Sequence, residues 1–149
     1  MVQQEPKRTR RKTNYKGAAQ KKTSGLLPRT PKQKEFIDAL KDFTQIFVLG
    51  PAGTGKTYVT ATIAADLYTT KEVDKIVITR PHVAVGKELG FLKGDLTEKT
   101  MPWALPVLDV LEKHLGKGAV ETAIKNGNIE MAPLALMRGR SFDDAFIIV

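Results

Sequence analysis

The stretch at residues 45–57, which reads QIFVLGPAGTGKT, constrains the fold more than any other part of the chain. Its apolar run at 46–49 is of strand type and ends at a glycine. Residues 50–57 then fill the pattern G-x-x-x-x-G-K-S/T, which is typical of loops that bind nucleotide phosphates. We therefore predict a strand, a phosphate-binding loop and a helix in direct succession.

The residue types of this loop match the chemistry of a nucleoside triphosphate site. Glycines let the backbone turn its N–H groups towards phosphate oxygens, and the following helix presents its free N–H groups and positive dipole end to them. Lys56 is the predicted catalytic residue because it can reach the β- and γ-phosphates, and the Thr57 hydroxyl is the predicted Mg²⁺ ligand. The predicted nucleotide-binding residues of the loop are Gly50, Pro51, Ala52, Gly53, Thr54, Gly55, Lys56 and Thr57.

The charge of the chain is distributed unevenly. Residues 1–30 contain nine Lys or Arg residues and one acid, whereas residues 31–149 contain 15 basic and 15 acidic residues, so the net charge of +8 resides in the N-terminal segment. Because this segment has few apolar residues, we predict a disordered basic arm at 1–29 and a nucleotide-binding domain at 30–149. The arm could contact nucleic-acid phosphates, and a tail that only aids solubility fits equally well.

Composition excludes several classes of protein. The chain has no cysteine, so disulfides and thiolate zinc sites are excluded. It has no apolar run near the roughly 20 residues that cross a bilayer, and no apolar segment follows the basic N-terminus as in a secretory signal. We expect a cytoplasmic protein. His82 and His114 lack further ligands at metal-binding spacing, so we expect them to be structural or surface residues.

A helix is predicted to begin at Thr30. Thr30 would be its N-cap, Pro31 its first residue, and Gln33 the second member of a capping box. Gln33 has a second possible role, since an amide just upstream of a phosphate loop can pair with the edge of adenine. Spacing alone favours the capping role.

Helix and strand patterns alternate after the phosphate loop. We predict helices at 55–69, at 95–115 with a break at Pro102 and Pro106, and at 119–125; strands at 75–79, 129–132 and 145–149; a short apolar turn at 134–137; and an ordered loop at 83–96. The strands on either side of the first of these helices imply a parallel pair with a right-handed crossover. The predicted fold is therefore α/β, a RecA-like sheet with helices on both faces and ligand loops at the carboxyl ends of its strands.

Three arginines are candidate nucleic-acid contacts. Arg80 follows a predicted strand at the ligand-bearing edge of the sheet, and Arg138 and Arg140 flank a glycine before the last strand. The alternatives are a solvated loop residue for Arg80 and, for the other two, a basic turn paired with Asp143 or Asp144.

The last apolar run, at 145–149, has the character of the strand that precedes a Mg²⁺-binding acid in P-loop ATPases. The sequence ends with this run, and no acid follows it. We therefore expect an N-terminal fragment of a longer ATPase, with a sheet incomplete on its C-terminal side and hydrolysis in doubt for the chain as it stands. The open sheet edge would favour pairing with another chain, such as a homo-oligomer.

Several blocks of this sequence resemble the PhoH-like proteins, phosphate-starvation-inducible P-loop ATPases of bacteria and bacteriophages. The blocks are GPAGTGKTY at 50–58, TRP at 79–81, LGFLKGDL at 89–96 and APLALMRGRSFDDAFIIV at 132–149. The resemblance covers residues 30–149 and implies a sheet similar to that of superfamily 1 helicases, ATP and Mg²⁺ as ligands, and Gln33 as the adenine contact. It also implies action on RNA or DNA. In the family, the strand matching AFIIV is followed by an Asp-Glu-Ala-Gln type segment, which this chain lacks.

Two functional hypotheses follow. The first is an ATPase that couples hydrolysis to work on RNA or DNA. The second is a nucleotide-binding regulatory or assembly protein with little turnover, which the missing acid favours. A small-molecule kinase is a weaker third hypothesis, because it would need an acceptor pocket and lid arginines that the sequence does not reveal.

Overall fold

The computed structural model describes residues 23–81 and 102–149. In chain order these contain α1 (Pro31–Asp42), α2 (Lys56–Thr69), β1 (Lys75–Arg80), α3 (Leu105–Leu115), α4 (Lys117–Lys125), β2 (Ile129–Pro133), the 3₁₀ helix Leu134–Met137 and β3 (Ala145–Ile148). Within the described residues, every helix and strand predicted after the phosphate loop is found. The predicted loop at 83–96 and the start of the helix predicted at 95–115 lie outside the described residues. None of the described helices is both long and apolar enough to cross a bilayer.

The three strands form one parallel sheet in the order β2–β1–β3. Ile76 of β1 lies beside Ile129 of β2 on one side and Phe146 of β3 on the other. β1 is therefore the central strand, and its residues 76–79 are all buried, as expected of a parallel strand covered on both faces. The predicted α/β class is confirmed, and the described part is consistent with a partial P-loop NTPase fold.

The apolar run at 46–49 does not join this sheet, so the strand predicted there is wrong. Both edges of β1 are occupied by β2 and β3, and the parallel pair predicted between this run and β1 is therefore wrong as well. A strand needs a neighbour to satisfy its backbone hydrogen bonds, and no described strand lies beside 46–49. Its side chains are correspondingly open to solvent: Phe47 is 81% exposed and Leu49 is 95% exposed.

Prolines mark the starts of α1 and α3. The Thr30 hydroxyl accepts a hydrogen bond from the backbone N–H of Gln33 at 3.2 Å, and Pro31 lies in the first turn of α1, as predicted. Pro106 lies in the first turn of α3. A proline at this position loses no helical hydrogen bond, so Pro106 opens α3 and does not kink a longer helix.

The main core lies between α2, α3, α4 and one face of the sheet. The residues at its centre, all buried, are Ala61, Ala64 and Ala65 of α2, Ile76 and Ile78 of β1, Leu111 of α3, Val120 of α4 and Ile129 of β2. A smaller second cluster of Ile37, Val59 and Ile63 joins α1 to α2. This second cluster holds α1 against the helix that carries the phosphate loop.

The opposite sheet face carries Val77 and Glu130, which lie side by side in β1 and β2. Arg140, in the connection from β2 to β3, binds Glu130, so this connection runs back along that face. Helices α3 and α4 lead from β1 out to β2 on the other face. The described elements of the two connections thus lie against opposite faces of the sheet.

Residues 23–29 are attached to the body of the domain. Ser24 donates to the Asp66 carboxylate from both its backbone N–H and its hydroxyl, each at 2.7 Å. Leu26 packs on the second cluster. The last part of the predicted arm is thus bonded to α2, and residues 1–22 lie outside the described residues.

Candidate nucleotide-binding site

Residues 50–57 form a loop that leads into the N-terminus of α2. Gly53 and Gly55 have positive φ angles of 77° and 84°, a conformation that residues with a Cβ adopt only at a cost. A Cβ on Gly55 would also lie 3.3 Å from Nε2 of Gln33. Glycine is therefore needed at position 55 both for the backbone conformation and for the close approach of α1.

Lys56, the first residue of α2, turns its ammonium group back into the loop. Its Nζ donates to the carbonyl oxygens of Gly50 at 2.8 Å and Pro51 at 2.6 Å. The Thr54 hydroxyl donates to the same Pro51 carbonyl at 3.0 Å and closes the turn. No carboxylate within the described residues pairs with Lys56. Only neutral oxygens therefore oppose this positive charge, which leaves it available to an anion.

The first turn of α2 offers further groups to an anion. The first backbone hydrogen bond of this helix runs from the N–H of Val59 to the carbonyl of Gly55 at 2.9 Å. The N–H groups of Lys56, Thr57 and Tyr58 consequently have no partner within the helix, and the positive end of the helix dipole lies at the same place. Thr57 is exposed, so its hydroxyl is accessible to a metal ion beside that anion.

Gln33 connects α1 to the phosphate loop. Its Oε1 accepts from the backbone N–H of Arg29 at 2.8 Å, and its Nε2 donates to the carbonyl of Thr54 at 3.2 Å. In a capping box Oε1 would accept from the N–H of Thr30, so the predicted box is only half formed and its second bond is displaced by one residue. One lone pair and one N–H of the Gln33 amide remain outside these bonds. They are the two kinds of group that the edge of adenine requires.

A cleft of about 640 Å³ lies between α1, the run at 46–49 and the phosphate loop. Gly53, Thr54, Gly55 and Lys56 supply a polar wall. The remaining walls combine apolar residues, among them Phe36, Phe47 and Leu49, with polar residues of the start of α1. The volume lies within the range of roughly 300–1,000 Å³ that is usual for small-molecule sites. The lining suits a ligand with an anionic group and a flat, weakly polar group.

Two basic side chains of this cleft were not singled out from the sequence. Lys32 and Arg29 both line it. Lys32 forms an ion pair with Glu35 at 2.8 Å, whereas Arg29 has no ion-pair partner among the described residues. Neither residue belongs to a motif, and only the packing of α1 beside the loop reveals their location.

Arg80 lies at the carboxyl end of β1, and Arg138 follows the carboxyl end of the neighbouring strand β2. Arg80 is the last residue of β1, is exposed, and lies opposite Pro133 of β2. Arg138 follows the 3₁₀ helix after β2 and is also exposed. Both therefore lie at or after the edge at which parallel sheets carry ligand loops. Their role as nucleic-acid contacts stays a prediction.

Arg140 is engaged within the fold. Its guanidinium binds both carboxylate oxygens of Glu130, with 3.0 Å between Nη2 and Oε2, and lies 4.8 Å from the ring centroid of Phe142. Lys75 approaches the same carboxylate at 3.3 Å. The hydrogen bond from Arg140 lowers the pKa of Glu130, although burial of the carboxyl acts in the opposite direction. The alternative predicted for this arginine is an ion pair with Asp143 or Asp144 in the turn, whereas the ion pair that the structure shows is with Glu130 on β2.

His114 contacts α2 and not a metal ligand set. Its Nε2 lies 3.2 Å from the hydroxyl of Thr62, which is fully buried, and its ring lies 6.2 Å from that of Tyr58. Within 23–81 and 102–149, no group of three or more His, Cys, Asp or Glu side chains is placed to hold a metal. His82 lies outside the described residues.

Comparison with known proteins decides the family of this chain. A family model described as PhoH-like protein matches residues 25–149. The chain belongs to the PhoH-like family. The match spans α1, the phosphate loop and all three strands, so the resemblance found in the sequence blocks is confirmed.

Individual PhoH-like relatives are similar over most of this chain. The PhoH-like protein of Bacillus subtilis is 43% identical over 128 residues, which cover 86% of this chain and 40% of the relative. The PhoH-like protein of Mycobacterium tuberculosis H37Rv is 44% identical over 83% of this chain and 35% of the relative. Protein PhoH of Escherichia coli K12 is 40% identical over 85% of this chain and 36% of the relative. The chain spans 35–40% of the length of these PhoH-like relatives.

Proposed function

We propose that this PhoH-like chain binds ATP together with Mg²⁺ at the phosphate loop. The observation that supports this proposal is the position of the Lys56 ammonium group, held inside the loop by the carbonyls of Gly50 and Pro51. A cation without a carboxylate partner, N–H groups without a helical partner and the positive end of a helix dipole meet at one place there. These are the groups that bind phosphate oxygens in other nucleotide sites.

Different residues of the site would bind different parts of Mg·ATP. Lys56 would bind the β- and γ-phosphates, and the N–H groups of the loop and of the first turn of α2 would bind the remaining oxygens. The Thr57 hydroxyl would be one oxygen ligand of Mg²⁺, which supplies charge neutralisation at the phosphates. Gln33 would pair its remaining donor and acceptor with the adenine edge.

Calorimetric titration with Mg·ATP tests this site. We expect saturable one-to-one binding by the wild-type chain and a loss of affinity of at least about tenfold in Lys56→Ala, because a phosphate charge is left without its charged partner. The control is Lys117→Ala, which removes an exposed cation at the start of α4 and should leave the affinity unchanged. Equal affinities in all three proteins would refute the assignment.

We further propose that the longer PhoH-like protein hydrolyses ATP and acts on RNA or DNA. Arg80 and Arg138 support this, because both are exposed, Arg80 at the carboxyl end of β1 and Arg138 after the carboxyl end of β2. The excess of basic residues at 1–30 also supports it, since such segments bind phosphate backbones without reading sequence. These arginines and this segment would provide affinity for the nucleic acid. ATP hydrolysis at the phosphate loop would supply the energy.

The second candidate function is nucleotide binding with little turnover, in a regulatory or assembly role. The groups described at this site are Lys56, the Thr57 hydroxyl and the N–H groups at the start of α2, and all of them are groups that bind phosphate or Mg²⁺, which is sufficient for this role. An ATPase assay with and without single-stranded RNA separates the two functions. Turnover that rises with RNA supports the ATPase, and tight ATP binding without turnover supports the second candidate.

A further inference from the structure

We propose that Arg29 binds the base of the nucleotide, with the plane of its guanidinium group lying against the face of the base. The inference rests on the proposed ATP site. It gives a role to the part of the cleft that lies away from the phosphate loop. Arg29 belongs to no recognised motif, and its place in the cleft follows from the fold of residues 23–33.

The backbone of Arg29 is fixed beside the cleft. Its N–H donates to Oε1 of Gln33 at 2.8 Å, and the next residue, Thr30, caps α1. Five residues upstream, Ser24 is bonded to the Asp66 carboxylate of α2. Because the segment is held at both ends, the side chain of Arg29 starts from a defined point on the cleft wall.

The bonds of Gln33 show which part of a nucleotide Arg29 would meet. One end of the Gln33 amide contacts Arg29, and the other contacts the carbonyl of Thr54 in the phosphate loop. Gln33 therefore lies between Arg29 and the loop. With the phosphates at the loop and the base at Gln33, Arg29 is a neighbour of the base and not of the phosphates.

The chemistry of arginine suits this place. Pairing with Gln33 uses the edge of the base, which leaves its two faces for neighbouring side chains. A guanidinium group is planar and weakly hydrated, and it stacks on aromatic rings as a lysine ammonium group does not. The Arg29 side chain has no ion pair among the described residues, whereas the nearby Lys32 is paired with Glu35. Phe36 and Phe47 line the same cleft and supply apolar surface for the opposite face of the base.

The test compares two ligands that differ only in the nucleoside: Mg·ATP and Mg·tripolyphosphate, each titrated by calorimetry. The variants are Arg29→Ala, Arg29→Lys and the control Lys34→Ala, which removes an exposed cation of α1 that does not line the cleft. We expect Arg29→Ala to weaken ATP binding about threefold to tenfold and to leave tripolyphosphate binding unchanged. Arg29→Lys should recover little of the loss, and Lys34→Ala should bind both ligands like the wild type.

Two results would overturn the inference while leaving the ATP site intact. One is an unchanged ATP affinity in Arg29→Ala. The other is an equal loss for ATP and tripolyphosphate that Arg29→Lys restores, since that pattern identifies a phosphate contact. Failure of the ATP site gives a different result: the wild-type chain would bind neither ligand, or Lys56→Ala would bind ATP as the wild type does, and both proposals would then fall.

Discussion

The side-chain Nε2 of Gln33 donates to the carbonyl oxygen of Thr54 at 3.2 Å, so α1 is bonded directly to the phosphate loop. The same glutamine receives the N–H of Arg29 through its Oε1. A movement of the Thr54 carbonyl would therefore act on the Gln33 side chain and, through it, on α1. The position of α1 and the conformation of the loop are linked through one amide group.

Replacing Gln33 tests this link and the adenine contact together. Gln33→Ala removes both hydrogen bonds and the proposed pairing with the base, which we expect to lower ATP affinity by about 1–2 kcal/mol. GTP affinity should fall less, because the amide is matched to adenine. Calorimetry with both nucleotides measures the ratio of the two affinities. An unchanged ratio would mean that Gln33 serves only to hold α1 and the loop.

Gly55→Ala should be strongly unfavourable. The loop holds residue 55 in the left-handed conformation, with a φ of 84°, where a Cβ costs about 1–2 kcal/mol. The new Cβ would also lie 3.3 Å from Nε2 of Gln33. We expect a lower free energy of unfolding in urea and weaker ATP binding. The matched control is Gly118→Ala in α4, where a Cβ meets nothing within 4 Å and helix propensity favours alanine by about 1 kcal/mol. If both substitutions change the free energy of unfolding alike, glycine is not specifically required at position 55.

We expect the stability of the domain to depend on pH through Glu130. Its pKa is lowered from the ordinary value of 4.5 first by the hydrogen bond from Arg140, with Lys75 contributing in the same direction. A carboxylate with a lowered pKa stabilises the fold above its unfolded pKa, and this stabilisation is lost as the pH falls through the lowered value. Urea unfolding of the wild type and Glu130→Gln should therefore differ most near pH 7 and converge below pH 4.5. A difference that stays constant across this range would contradict the prediction.

The run at 46–49 should tolerate polar substitution. Leu49 is 95% exposed, so Leu49→Ser should change the free energy of unfolding by no more than about 0.5 kcal/mol. Ile63 is 7% exposed in the second cluster, and Ile63→Ala should cost about 2–5 kcal/mol. Urea denaturation of the two variants provides the comparison. A large loss in Leu49→Ser would show that this side chain is packed in solution.

The sequence predicts those features that depend on neighbouring residues. The phosphate loop follows from its glycines and from the Lys56-Thr57 pair, because each residue type has a local conformational or chemical reason to be there. The strands β1, β2 and β3 follow from short apolar runs. Thr30 predicts the start of α1, since a cap acts on N–H groups only a few residues away.

Features that depend on distant partners are not predictable in the same way. The run at 46–49 has the pattern of a strand, but it pairs with none of the three described strands, and both edges of β1 are already occupied by β2 and β3. Arg140 binds Glu130 across the sheet, although closer acids follow it in sequence. Arg29 became a candidate only because α1 packs beside the loop. In each case the outcome depends on residues that are far apart in the sequence, and the residues next to each position do not reveal which distant elements will pack beside it.

The central position of β1 has a consequence for how the chain folds. Ile76 is synthesised before both of its neighbours, Ile129 and Phe146, and helices α3 and α4 lie between it and the nearer of the two in the sequence. The sheet therefore has a high contact order, which slows folding. At about 5–20 residues per second on the ribosome, α1, α2 and the phosphate loop emerge seconds before the sheet can close. During that interval the apolar side chains of β1 are open to chaperones and to aggregation.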